Sequence, residues 1–395
     1  MDVRPLPSSL SLKGKRVLVR VDWNVPLKKS RLQEEDAVKI KQSVSFLHNL
    51  SRRGAVVILL THLGRPEGRD LAYSTRVLAD VVNHQFGMGV VFHPEAFSKK
   101  QEFERLRKAL IASGNGSIHL LENVRFEKGE EKNDARLADL YAQLGEVFIN
   151  DAFASCHRAH ASVVGIAKKL PSYAGPNLRS EIQALDQLLH HQKKPFVTVI
   201  GGFKISSKLP VLKKLARLSD AVCIGGAMAS TLLAAKGVSL GESFVEKEAL
   251  AEAKQLARQK NILLPTDVRV SHALKKGVLK ECESDHVPAH EIVVDIGRKT
   301  IAEWGAILKR AKTILWNGPV GIVEHPAFAR GTNDLLHLIA NCRAYKVAGG
   351  GDTVPLIFAQ KKERFFDHIS MGGGALLEFV ERGGRLPGLA PLVRR

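Results

Sequence analysis

Short continuous apolar runs, separated by longer stretches with helical periodicity, recur from one end of the chain to the other. The first is Arg16–Val21, followed by a charged helical stretch from about Glu34 to Arg53 and then by Ala55–Leu60. Later runs are Ile118–Leu121, Val147–Ile149, Phe196–Ile200, Ala221–Ile224, Ile292–Val294, Thr313–Leu315 and Tyr345–Val347. A strand without polar alternation has both faces covered, which is the condition of a parallel strand between layers of helices. The expected class is α/β, with each parallel sheet flanked by helices and joined by right-handed crossovers. At 395 residues the chain exceeds one ordinary core, so two domains are expected. The pattern breaks at Pro171-Ser172-Tyr173-Ala174-Gly175-Pro176, and Leu178–Gln192 reads as one helix with Ile182, Leu185, Leu188 and Leu189 on a single face. The expected division is an N-terminal domain over 1–172, a joining hinge helix over 173–192 and a C-terminal domain over 193–370. A tail over 371–395, helical at Ala375–Glu381, is expected to dock back on the N-terminal domain.

In open α/β sheets ligands bind beyond the carboxyl ends of the strands. In the first half those ends are polar and cationic. Val21 leads into Asp22-Trp23-Asn24, Leu60 into Thr61-His62-Leu63-Gly64-Arg65, Leu121 into Glu122-Asn123-Val124-Arg125, and Ile149 into Asn150-Asp151 and then His157-Arg158-Ala159-His160. Converging, His62, Arg65, Arg125 and Arg158 would suit a small, multiply charged anion, because a guanidinium fork matches carboxylate and phosphate. Any one of them alone is equally a solvated loop charge, and His157 or His160 a hydrogen-bonded structural histidine.

The ends in the second half are rich in glycine: Gly201-Gly202-Phe203-Lys204 with Lys208 beyond, Gly225-Gly226-Ala227-Met228, Trp316-Asn317-Gly318-Pro319, and Ala348-Gly349-Gly350-Gly351-Asp352-Thr353. Glycine admits a flat ring or a polyphosphate close to the backbone. Lys204 and Lys208 could meet phosphate oxygens, and Asp352, at the head of a helix, could cap it and hold a divalent ion. Neither Gly-x-x-x-x-Gly-Lys-Ser/Thr nor Gly-x-Gly-x-x-Gly occurs, so a nucleotide site here uses another glycine arrangement. An anion-binding half facing a nucleotide-binding half describes a two-domain phosphotransferase.

Composition narrows the partners. The net charge of +19 suits a phosphate-rich ligand or a generally basic surface, but no run of five basic residues occurs and aromatics are only 6%. Nucleic acid is therefore the weaker reading. No stretch of about 18 apolar residues suggests a membrane span, the N-terminus does not read as a secretion leader, and the four cysteines lie far apart. A cytoplasmic protein with free thiols is expected.

These stretches, in this order, closely resemble the phosphoglycerate kinase family over essentially the whole chain. The matching motifs are Val19–Pro26, His62–Pro66, Leu121–Phe126, Asn150–Phe153, His157–His160, Gly201–Lys204, Trp316–Pro319, Gly349–Thr353 and Gly372–Gly374. The resemblance implies reversible phosphoryl transfer between 1,3-bisphosphoglycerate with Mg-ADP and 3-phosphoglycerate with Mg-ATP, in a monomer whose two domains close about the hinge, without nucleic acid or membrane. It implies that Asp22, Asn24, Lys39, His62, Arg65, Arg125 and Arg158 bind phosphoglycerate, and that Lys39, Lys204, Gly351 and Gly373 surround the moving phosphoryl group. Nucleotide contacts implied in the same way are Gly202, Lys204, Lys208, Gly226, Ala227, Asn317, Pro319, Glu324, Gly350, Gly351, Asp352 and Thr353, with Asp352 holding Mg²⁺. The chain departs from the family pattern at Lys39, where an arginine is usual, and at Met371, where a threonine is usual. The remaining alternatives are a basic nucleic-acid-binding protein and a two-domain kinase for another small acid.

Overall fold

The computed structural model describes residues 1–28, 31–32, 37–274 and 278–394. The chain divides into two compact units: Met1–Gln183 together with the C-terminal stretch from Arg385, and Ala184–Gly384.

The first unit is built on a six-stranded sheet in the order Val90–His93, Ile118–Leu121, Val56–Leu60, Arg16–Val21, Val147–Asp151, Ser172–Ala174, with every pairing parallel. Val17, Val19, Val57 and Leu59 pack into one apolar layer with Leu47 and Leu50, while Leu18, Val56, Ile58 and Leu60 pack into the opposite layer with Phe103 and Phe148. That alternation is what a two-sided apolar strand dictates. The helix Val38–Arg52 buries Ile40, Ser43, Leu47 and Leu50, the stripe expected of one face. The sequence suggests a start near Glu34, but residues 33–36 lie outside the described residues.

The second unit repeats the plan with a parallel sheet in the order Ile262–Leu263, Ala221–Ile224, Phe196–Ile200, Thr313–Asn317, Tyr345–Gly349, His368–Ser370. In both units the first strand sits inside the sheet, and the connections leave it in opposite directions, creating a switch point at its carboxyl end. One expected parallel strand is different. Ile292–Ile296 pairs antiparallel with Asp267–Ser271, which also pairs antiparallel with Lys280–Glu283, forming a separate three-stranded sheet. The apolar run Ile292–Val294 signals burial, but burial alone does not fix strand direction.

The helix Pro176–His190 begins at a built cap: Asp151, at the end of its strand, accepts from the amides of Asn177 (2.8 Å) and Leu178 (3.1 Å). Burial nevertheless raises the Asp151 pKa to about 7. The division between units falls within this helix.

The tail over 371–395 divides as well. The helix Gly373–Glu381 packs against Leu209–Leu218 in the second unit, burying Leu376, Phe379 and Val380. The stretch from Arg385 belongs to the first unit, where the Gly388 amide bonds to the Cys156 carbonyl and Val393 bridges Val3. Four of the five apolar residues in Ala375–Val380 are buried and give that helix a core-facing stripe, so it is not a loose tail. Among the described residues no helix is long and apolar enough to cross a membrane.

Candidate functional site

The first unit gathers its cations at the carboxyl ends of its central strands. Their centre is a residue that strand-end reasoning passes over, Arg20. It lies inside the apolar strand, 1% exposed. Its guanidinium donates to the Ser162 hydroxyl (3.0 Å) and the Val21 carbonyl (2.8 Å) and lies 2.9 Å from His62 Nδ1. Ser162 in turn donates to Glu130, which is wholly buried and offsets the Arg20 charge. The only sequence signal for Arg20 is a charge in the middle of an otherwise apolar run.

Buried and surrounded by cations, His62 is kept neutral. Burial, then Arg20, Arg125, Lys39 and His160, hold its pKa well below the usual histidine range. His160 is pushed down to about 4, chiefly by burial and then by Arg20, and sits 3.7 Å from Glu130, so it is a structural histidine. Arg125 feels the charges of Arg20, Arg158 and Arg65, and its Nη1 donates to the Gly64 carbonyl at 2.6 Å. Asn24 accepts from the Gly64 amide at 2.9 Å, so that this glycine is held from both sides. Gly64 has φ +62°, and a Cβ there would run into the Tyr73 ring, so this position requires glycine. Lys39 Nζ lies 2.9 Å from Asp22 Oδ2, and Asp22 Oδ1 is buried without a hydrogen-bond partner. Arg65 and Arg158 are exposed. The expected residues Asp22, Asn24, Lys39, His62, Arg65, Arg125 and Arg158 thus form one electrostatically coupled group. Glu122 and Asn123, from the same motifs, are scaffold: Glu122 accepts from the Thr75 amide and Ser74 hydroxyl at a helix start, and Asn123 ties Leu63 to Tyr73.

In the second unit the glycine loops touch one another. A Cβ at Gly201 would overlap the Pro319 carbonyl, one at Gly318 would overlap the Gly201 carbonyl, and one at Gly226 would come within 2.9 Å of the Gly202 carbonyl. The loop holding Gly350 abuts the start of the last helix: a Cβ at Gly373 would lie 3.0 Å from Gly350 Cα. Gly202, Gly226, Gly318 and Gly350 all have positive φ, so these turns need glycine for conformation and for approach. Asn317 binds the Gly349 carbonyl at 2.9 Å, and the Gly318 amide donates to Thr353 Oγ1 at 2.8 Å. Thr353, wholly buried, therefore fastens two loops together.

Lys208 donates to the Gly201 carbonyl at 2.6 Å and reaches Asn317 Oδ1 at 3.4 Å. Burial lowers its pKa to about 8, against the pull of Asp352. Ala227 lies in the first turn of the helix Gly226–Ala235, Pro319 is half-buried beside Gly201, and Lys204, Gly351 and Glu324 are exposed. Asp352 occupies the N-cap position of Thr353–Ala359 but its side chain makes no capping hydrogen bond, contrary to the capping role expected of it. Its backbone is helical, unlike the extended conformation usual for a capping residue, and its charge acts on Lys208. Among the described residues no cluster of three His, Cys, Asp or Glu could hold a metal by itself. A single exposed carboxylate beside these glycine loops does fit Mg²⁺, which is commonly held by one or two carboxylates plus substrate phosphates and water.

The phosphoglycerate kinase family model matches residues 8–383. A phosphoglycerate kinase of Thermus thermophilus is 42% identical over 392 residues, covering 97% of this chain and 98% of its own length. That of Deinococcus radiodurans is 42% identical, covering 98% and 93%. Among solved structures, phosphoglycerate kinase from Coxiella burnetii superposes with a TM-score of 0.84 at 35% identity, covering 98% of this chain and 97% of that one. The enzyme from Pyrococcus horikoshii gives 0.86 at 30% identity, covering 98% of each.

Proposed function

Since the chain belongs to the phosphoglycerate kinase family, it is a glycolytic kinase that transfers phosphate to the carboxyl group of 3-phosphoglycerate, and we propose that its two residue groups divide the reaction as follows. The observation that carries the assignment is the pairing of a cationic cluster around neutral His62 in one unit with a ring of glycine loops around Lys208 in the other. Arg65, Arg125 and Arg158 hold the anionic ends of phosphoglycerate, with Asn24 and neutral His62 beside them. Asp22 Oδ1, buried and lacking a donor, takes the substrate hydroxyl. In the second unit Gly202, Gly226 and Ala227 wall the base, while Asn317, Pro319 and Glu324 border the rest of the nucleoside. Lys208, Gly350 and Thr353 line the phosphates.

In the transfer step a carboxylate oxygen of 3-phosphoglycerate attacks the γ-phosphorus of ATP. The bond from that phosphorus to the β-bridging oxygen breaks, and ADP leaves with the electron pair. No protein nucleophile is needed, so the protein contributes position and charge. Lys39, Lys204, Gly351 and Gly373 surround the moving group, the lysines by charge and the glycines by leaving room. Asp352 is the residue that would hold Mg²⁺, which neutralises phosphate charge when bound. The two ligands must meet, so hinge motion at the helix Pro176–His190, within the segment 173–192 expected from the sequence, is part of this reading, as are a cytoplasmic setting and a monomeric state.

Calorimetry with each ligand separately tests the division. Arg65→Ala and Arg125→Ala should weaken 3-phosphoglycerate binding at least about tenfold, the loss expected for a charge-assisted contact, and leave Mg-ADP binding unchanged. Asp352→Ala and Lys208→Ala should do the reverse. Loss of both ligands in every variant, or steeply salt-dependent binding to duplex DNA without kinase turnover, would contradict it.

A further inference from the structure

Two phenylalanines stand out on the surface of the second unit. Phe203 is 58% exposed and Phe244 37% exposed, and their rings stack with centroids 4.0 Å apart. Phe203 immediately precedes Lys204. Two residues after Lys204, the Ser206 amide and hydroxyl both donate to Glu246, the amide at 3.1 Å. Lys204 therefore sits on a short arc pinned on both sides to the same segment, Phe244 through Glu246. That segment is itself fixed at two points. The Glu246 amide donates to Thr231 Oγ1 at 3.1 Å on the buried face of the helix Gly226–Ala235, and Ser243 Oγ accepts from the Val293 amide at 2.9 Å.

The arc needs such fastening. It starts at Gly202 with φ +137°, a conformation that gives the backbone little restraint of its own, and Lys204 has an exposed side chain. A lysine that must meet a moving phosphoryl group gains from being held in place beforehand, because misplacement by about 1 Å can cost about 10²-fold in rate. Exposed stacked rings are otherwise an unfavourable use of surface.

We propose that Phe203, Phe244 and Glu246 form a strap that positions Lys204 for phosphoryl transfer. This rests on the role given to Lys204 above. The three are positioning residues: each acts through Lys204, and none is asked to touch substrate. An aromatic pair supports its geometry by roughly two- to tenfold in an equilibrium, so Phe203→Ala and Phe244→Ala should each lower kcat by about that factor. KM for 3-phosphoglycerate and Mg-ATP should stay within about twofold, because binding is carried by other groups. Phe203→Tyr, which keeps the stack, should restore kcat.

The discriminating measurement is kcat in two backgrounds. Lys204→Ala alone reads the underlying assignment: if it turns over like the wild type, Lys204 is not a transfer residue and the reading of this loop fails. With Lys204→Ala impaired, adding Phe203→Ala or Glu246→Gln should cost nothing further, since the strap acts through the missing amine. A further drop equal to that seen in the wild-type background would overturn the strap while leaving Lys204 in place. So would wild-type kcat in Phe203→Ala, or a kcat loss that Phe203→Tyr fails to restore. Thermal unfolding of each variant accompanies the kinetics; a fall in melting temperature large enough to unfold the protein at the assay temperature would assign the losses to folding and also overturn the strap.

Discussion

Replacing Lys39 by methionine removes the amine that lies 2.9 Å from Asp22 and keeps nearly the length of the side chain. Two effects follow, and they can be separated. The first falls on the fold: Asp22 already has one buried oxygen without a donor, and the substitution orphans the second. Leaving a largely buried carboxylate without its charged partner costs about 1–3 kcal/mol. The second falls on the reaction. If Lys39 faces the carboxylate and the moving phosphoryl group, its loss removes one preorganised cation, which typically costs about 10²–10³ in kcat, or about 2.7–4 kcal/mol. A coupled assay following ADP release from ATP and 3-phosphoglycerate should therefore show at least about a hundredfold loss in Lys39→Met. Lys39→Arg should keep or raise the rate, since it restores the charge and adds a fork. Urea unfolding of Lys39→Met and of the double variant Lys39→Met/Asp22→Asn separates the two effects. The double variant should recover most of the lost stability, because the orphaned charge is gone, and none of the lost rate. Wild-type turnover in Lys39→Met, or turnover that returns together with stability in the double variant, would refute the reasoning.

Burial brings the Lys208 pKa down to about 8 from the 10.5 of an ordinary lysine. Its charge, and the phosphate affinity that depends on it, is present below that value and lost as pH rises through it, so KM for Mg-ADP should climb there; Lys208→Arg should abolish that limb, and a flat profile well into alkaline pH would contradict the assignment. Gly201→Ala places a methyl into the Pro319 carbonyl; Mg-ADP binding measured by calorimetry should weaken because the loop must shift to admit it, and unchanged affinity would show that the close approach has no part in binding. Arg20→Met leaves Glu130 buried without its cation, a change that typically costs about 3–5 kcal/mol; urea unfolding should show it, and Arg20→Met/Glu130→Gln should regain a large part.

Much of this is visible in the residues. Val56-Val57-Ile58-Leu59-Leu60 is buried at every position, and such a run announces a strand covered on both faces, though not its direction. The strand ends likewise display the residues that the structure gathers, His62, Arg65 and Arg125 in one unit and Lys208 against Gly201 in the other. What stays hidden depends on contacts between distant segments. Lys280–Glu283 is a strand made of Lys-Glu-Cys-Glu on an exposed edge, so nothing apolar marks it. Ile292–Ile296 is apolar enough for a central strand, yet its partner Asp267–Ser271 fixes it antiparallel. Arg20 and Glu130, far apart in sequence, become intelligible only together, because each charge justifies burying the other. Thr353 suggests a phosphate contact by its place after three glycines, while its hydroxyl is also the clasp that holds Gly318.

If the two residue groups act together, this one chain suffices to carry the γ-phosphoryl group of ATP to the carboxyl group of 3-phosphoglycerate. Phosphorus NMR of the wild-type protein with 3-phosphoglycerate, ATP and Mg²⁺ observes that transfer without any coupling enzyme. The predicted result is an acyl-phosphate resonance growing with ADP, and its disappearance when Lys204→Ala replaces the wild type. ATP left intact in the presence of 3-phosphoglycerate, or ATP hydrolysed to free phosphate with no acyl-phosphate signal, would contradict it.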